Sequence, residues 1–237
     1  MQTEVQQTIR TPHPQPSAEP RPDLYSAVHK GLRAALGHVL TAVGATDPDD
    51  ERAWSTTTAE LEAVLALLSR HLREEDEFLE DAIDRRAPRG GTSTRDEHVE
   101  HEAAIASIRA AVARVSASPP SRRRELASSL YRDLAVFVGE SLLHMEREER
   151  ENMALLHGAY TDAELLAILG ALLAQIPPDA MAGFHRWMIP SLHHGERLAM
   201  LQGMKAGAPP EAFAGVMAIA ERTLSRDAYG ALSAALR

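Results

Sequence analysis

The chain has 237 residues and a formal net charge of −9 at pH 7, room for one or two domains around a buried core. It has no cysteine, which excludes disulfide scaffolds, thiolate zinc sites and iron–sulfur clusters and fits a reducing compartment. The acidic balance argues against nucleic acid as the main partner. Apolar runs such as Leu165–Ala174 fall short of the ~18–20 residues of a membrane span, and the start lacks a basic-then-apolar leader, so the expected setting is the cytoplasm, away from membranes.

Residues 1–22 are polar and punctuated by Pro12, Pro14, Pro16, Pro20 and Pro22, the composition of a disordered tail. His13 lies in this tail and is expected to be solvated. The first helix is predicted from Asp23, a capping residue, to Val43, with Gly44 as its stop. Its apolar face reads Tyr25, His29, Leu32, Leu36, Val39, Val43, so one histidine stands in line with the core residues. His38 falls off that line.

The turn Thr46–Asp50 leads to a second helix over Trp54–Arg86. Its face reads Leu61, Val64, Leu68, His71, Glu75, Phe78, stepping by three and four. Glu74, Asp76 and Glu77 are expected on a solvated face. The third helix is predicted over Thr94–Ala117, with His98, His101, Ile105, Ile108, Val112 and Val115 in line; Glu102 sits on the flank. The fourth runs from Ser121 to His157 before Gly158, with Leu130, Leu134, Phe137, Ser141, His144, Glu148 and Leu155 in line.

Two His-x-x-x-Glu pairs, His71/Glu75 and His144/Glu148, therefore end apolar faces, and residues four apart on a helix point the same way. An imidazole and a carboxylate placed there are costly to bury unless something binds them. Beyond Thr161, which opens a capping box with Glu164, five short helices are predicted: Asp162–Gln175, Pro178–Met188, Gly195–Lys205, Pro210–Leu224 and Asp227–Leu236. His185, His193 and His194 are read there as surface or interface residues.

Four long helices with short links predict an all-α fold, an up-down-up-down bundle over 23–158, followed by a region of short helices over 159–237. That topology brings His29, His71, Glu75, His98, His101, His144 and Glu148 to one end. Imidazoles argue against calcium and magnesium, and a lone zinc takes four ligands. Seven ligands point to two transition-metal ions. Two ferrous ions, two carboxylates and a bridging hydroxide would leave about +1, tolerable in a dry site.

The segments VHKGLR (Val28–Arg33), HLREED (His71–Asp76), DEHVEHEAAI (Asp96–Ile105) and HMEREE (His144–Glu149) resemble the hemerythrin-like, HHE cation-binding proteins, whose relative myohemerythrin is a four-helix bundle. The segment from YTDAELLAI (Tyr160–Ile168) to GAPPEAF (Gly207–Phe213) resembles the C-terminal helical extension of bacterial members. The resemblance implies a non-haem di-iron site, oxo- or hydroxo-bridged, with His29, His71, Glu75, His144 and Glu148 as ligands and the glutamates as bridges. It implies binding or sensing of O2 or a related small diatomic ligand. The alternative is a di-iron oxidase, a peroxidase-like enzyme or a nitric-oxide-handling enzyme. Two departures touch oxygen carriage: His98 and His101 are three apart where oxygen-binding hemerythrins space them by four, and Glu148 replaces an aspartate placed five after its histidine. Ferritin-like carboxylate sites use Glu-x-x-His pairs, and no histidine here has a glutamate three before it.

Overall fold

The computed structural model describes residues 21–88, 90 and 92–237, and among them it contains helices and no strand. Residues 1–20, nearly all of the expected tail, lie outside the described residues. The bundle is built from α1 (Ser26–Ala45), α2 (Glu51–Glu74), α4 (Thr92–Ala117) and α5 (Pro120–Arg147). α1 and α4 each pack against both α2 and α5, so the four close on themselves. Asp23 starts α1 by accepting from the amides of Tyr25 and Ser26 at 3.0 and 2.9 Å, and Asp50 starts α2 by accepting from Ala53 N at 3.0 Å.

The second and fourth helices depart from the predicted regular periodicity. α2 passes at Glu75 into a π-helical segment, π1 (Glu75–Glu80), and then α3 (Asp81–Arg86). α5 passes at Glu148 into π2 (Glu148–Asn152) and then α6 (Met153–Ala159). The wider turn adds a residue and shifts the register of the inward face. Phe78 and Leu155, expected in the core, are only half-buried, while their successors Leu79 and Leu156 are buried. Glu80 and Asn152 turn inward with them.

Two apolar clusters enclose the histidine layer. One holds Leu32, Leu36, Leu61, Leu68, Ile105, Ile108, Leu130, Leu134 and Phe137. The other, at the end where α1 begins, holds Leu24, Tyr25, Leu79, Ile83, Met153, Leu156 and Leu165.

The remaining helices are α7 (Asp162–Gln175), α8 (Pro178–Ser191), α9 (His194–Gly207), α10 (Pro210–Thr223) and α11 (Arg226–Ala235). α7 covers the second cluster through Leu165, Ile168, Leu169 and Leu172. α8 lies along α1, where a Cβ on Gly31 would stand 2.9 Å from Met188 N; a side chain there is excluded by backbone. α9, α10 and α11 share a third apolar cluster with α8, around Ile189, Leu201, Ile219, Ala220 and Leu232. His193 caps α9 through its ring, whereas His185 is buried.

Arg21, placed by its sequence in the tail, is pinned to the start of α7. Its guanidinium donates to Asp162 Oδ1 and to the carbonyls of His157 and Tyr160 at 2.6–2.7 Å. No single helix among the described residues is long and apolar enough to cross a membrane.

Candidate metal centre

Each long helix delivers its part of the site from a buried position. His29 comes from α1, His71 from α2, Glu75 from the start of π1, His98 from α4, His144 from α5 and Glu148 from the start of π2. The side chains of all six are 0–7% exposed. They form two donor groups. In the first, His29 Nε2 lies 3.1 Å from His71 Nε2 and 3.4 Å from Glu75 Oε1, and His71 Nε2 lies 3.2 Å from the same oxygen. In the second, His98 Nε2 and His144 Nε2 are 3.0 Å apart and each is 3.2 Å from Glu148 Oε1.

The glutamates join the groups. Glu75 Oε2 is 3.8 Å from His98 Nε2, and Glu148 Oε2 is 3.5 Å from His29 Nε2. Within each group the donor atoms lie within 4.8 Å of one another, with Glu75 belonging to both.

The donor chemistry fits metal ions. Both oxygens of Glu75 and Oε2 of Glu148 are buried without a hydrogen-bond partner, an arrangement that costs about 1–3 kcal/mol per atom or more when nothing binds. Four imidazole nitrogens converge in two close pairs, and rings that keep their proton on Nδ1 face each other there with bare lone pairs. Cations between them turn both features into bonds.

Without metal, the charges settle unequally. Burial pushes Glu75 far above the ordinary carboxylate range, and Glu148 beside it pushes further in the same direction. Burial would raise Glu148 too, but hydrogen bonds from His144 and His98 hold it below that range. His71 is held toward its neutral form by burial and then by the neighbouring His29, which is the form a metal needs.

Three of the four histidines are oriented through Nδ1 by a carboxylate that an arginine in turn holds. His29 Nδ1 meets Glu149 Oε1 at 3.1 Å, with Arg33 on the same oxygen at 2.6 Å. His98 Nδ1 donates to Asp76 Oδ1 at 2.8 Å, with Arg95 3.6 Å away. His144 Nδ1 donates to Glu97 Oε2 at 2.7 Å, with Arg147 on that oxygen at 2.6 Å. Such partners fix the tautomer and raise ligand basicity.

Asp76 was expected on a solvated face, and Glu97 and Glu149 carried no expected role. Two of the three had a visible signal: Asp76 and Glu149 each directly follow a core-facing glutamate. Glu74, also expected to be solvated, is buried and paired with Arg70 at 3.1 Å; Glu77 is exposed.

His101, the seventh expected ligand, is not brought into either donor group. It sits one turn beyond His98, its ring 4.8 Å from that of His144 and 5.9 Å from Phe137. Its Nδ1 donates to Glu97 O at 2.7 Å, and its Nε2 is buried without a partner. His101 shares the helix face of His98 one turn on, but its ring lies against Phe137 and His144 and offers no atom to either donor group.

A further polar layer lies on the other side of the six residues. Asn152 Nδ2 donates to Glu80 Oε1 at 2.7 Å and to Thr94 Oγ1 at 3.3 Å. Tyr25 Oη and Glu80 Oε2 are buried there without partners. Burial, then Glu148, pushes Glu80 up to about 8.

Residues 22–156 match the family model described as Hemerythrin HHE cation binding domain. The chain belongs to the hemerythrin HHE cation-binding family. The match runs from the start of the bundle to α6 and contains all six clustered donors. No curated protein and no solved structure matches the chain. As an HHE protein it places a buried His/Glu cluster suited to cations in the middle of a helical bundle, with α7–α11 outside the matched segment.

Proposed function

We propose that this HHE domain holds two iron ions and that a small diatomic ligand, O2 in the first place, binds there. The observation that carries the reading is the division of six buried donors into two groups that share Glu75 and are linked again by Glu148. His29 and His71 would hold one ion, His98 and His144 the other, and the two carboxylates would bridge. Iron would supply a redox change and a coordination position for the exogenous ligand.

The chain's own contribution is preorganisation and exclusion of water. Glu149, Asp76 and Glu97 hold three rings in place. The apolar clusters on both sides keep the layer dry, which strengthens every charge interaction within it. Imidazole-rich donors disfavour calcium and magnesium.

One observation favours a second reading, turnover by a di-iron oxidase, a peroxidase-like enzyme or a nitric-oxide-handling enzyme. His101 stands outside both donor groups, so six side chains instead of seven would serve two ions. Ions held by fewer side chains would keep more positions open to an exogenous ligand, which would favour turnover over reversible binding.

The test is elemental analysis of protein made in iron-replete cells, followed by rapid mixing of the reduced protein with O2, hydrogen peroxide or nitric oxide under optical observation. About two irons per chain and a reversible spectral change with O2 support binding. Irreversible oxidation within the mixing time, or consumption of peroxide or nitric oxide, supports the enzyme. A single zinc, or no metal after gentle purification, defeats both.

A further inference from the structure

The two helical hairpins that face each other across the centre follow one plan. The first reads His29, then His71, Glu75 and Asp76; the second reads His98, then His144, Glu148 and Glu149. In both, the acid after the glutamate reaches across to the other hairpin's first histidine: Asp76 to His98 at 2.8 Å, Glu149 to His29 at 3.1 Å.

The plan breaks at one place. Glu97 directly precedes His98 and supports His144 at 2.7 Å, itself held by Arg147. The residue directly preceding His29 is Val28, which packs against the apolar cluster. The residue three after His71, matching Arg147, is Glu74, whose partner is Arg70. Among the described residues, no carboxylate pairs with His71 except Glu75, on its Nε2 side.

We propose that the two metal positions are unequal. The position formed by His98, His144 and Glu148 takes a divalent transition-metal ion first and holds it more tightly than the position formed by His29, His71 and Glu75. The cause is that Glu97 orients His144 while no second carboxylate orients His71. The proposal rests on the reading of this cluster as a two-ion centre. Its physical basis is that a carboxylate on Nδ1 removes the freedom of the ring and enriches the electron density at Nε2, so less is lost when the metal bond forms. Glu97 is a positioning residue in this scheme, and it also accepts from His101 Nδ1 through its carbonyl.

Calorimetric titration of the metal-free full-length chain with Zn²⁺ at pH 7, with native mass spectrometry to count ions, tests it. Zinc accepts the same imidazole and carboxylate donors and has no redox chemistry to confuse the heat. Two steps separated by about tenfold or more are expected, since such partners are typically worth 10–100-fold in affinity. His71→Ala should delete the weaker step and leave the tighter one in place. Glu97→Gln should weaken the tighter step by about 10–100-fold and spare the weaker. Arg147→Ala, at a half-exposed position, should move the same step in the same direction by less, which guards against a folding defect in the Glu97 variant. Equal affinities in the wild type, loss of the tighter step in His71→Ala, or equal weakening of both steps by Glu97→Gln overturns the proposal. Failure of the wild type to take two ions overturns the two-ion reading itself.

Discussion

The bundle and the C-terminal helices differ in what they bury among their apolar residues. The bundle places His29, His71, Glu75, His98, His144, Glu148 and Glu80 in its interior, each nearly or wholly inaccessible. The cluster shared by α8–α11 is hydrocarbon: Ile189, Leu201, Val216, Ile219, Ala220, Leu232 and Leu236. A hydrocarbon core stabilises by burial alone, so it stands without a ligand. A layer of facing imidazoles and carboxylates with unpartnered oxygens works against folding until something neutralises it. The stability of the bundle should therefore depend on what fills this layer, and that of the C-terminal core should not, although α8 belongs to both.

Removal of the metal should show the largest difference. A site saturated about a thousandfold over its dissociation constant adds roughly 4 kcal/mol, or about 8–16 °C in melting temperature for a domain of this size. Chelator added before a calorimetric scan should cost that much. Hydrogen exchange should place the loss in α1, α2, α4 and α5, with α9–α11 protected as before. Equal loosening of both regions would break the comparison.

Leu201→Ala probes the other interior. Leu201 is fully buried among apolar neighbours, and the cavity should cost about 2–5 kcal/mol with no change in metal content. Loss of metal from that variant would mean that the two interiors are coupled.

Gly31→Val addresses the joint between them. The new Cβ meets Met188 N at 2.9 Å, and backbone does not give way as a flexible side chain does. A cost of about 1–3 kcal/mol is expected, with increased exchange in α8. An unchanged melt would show that α8 is not held closely on α1.

Another expected effect concerns pH. Glu80 is raised from the ordinary carboxylate value to about 8, so the folded chain binds a proton that the unfolded chain has released. Stability of the metal-free protein should therefore fall as pH rises from about 4.5 to 8. Glu80→Gln should flatten that slope, measured by urea melts across the range. The same slope in both proteins would rule Glu80 out as its source.

The sequence by itself determined the long helices and which candidate donors face inward. Steps of three and four placed His71 with Glu75 and His144 with Glu148 on inward faces, because side chains one turn apart share a face whatever lies opposite. The capping box at Thr161 likewise acts within a few residues, whereas the helix expected to stop at Gly158 runs on to Ala159. The tertiary structure decided what depends on other helices. The π turns at Glu75 and Glu148 exchanged Phe78 for Leu79 and Leu155 for Leu156, a register change that α-periodicity does not carry. Asp76 read as a surface acid, and Glu97 and Glu149 carried no role, until another helix brought a histidine against each, since spacing along one helix says nothing of what packs across from it. His101 kept its place on an apolar line yet stood apart from the donor groups. Membership of a helix face is local, whereas convergence of donor atoms to within a few ångströms is set by how four helices rotate and pack together.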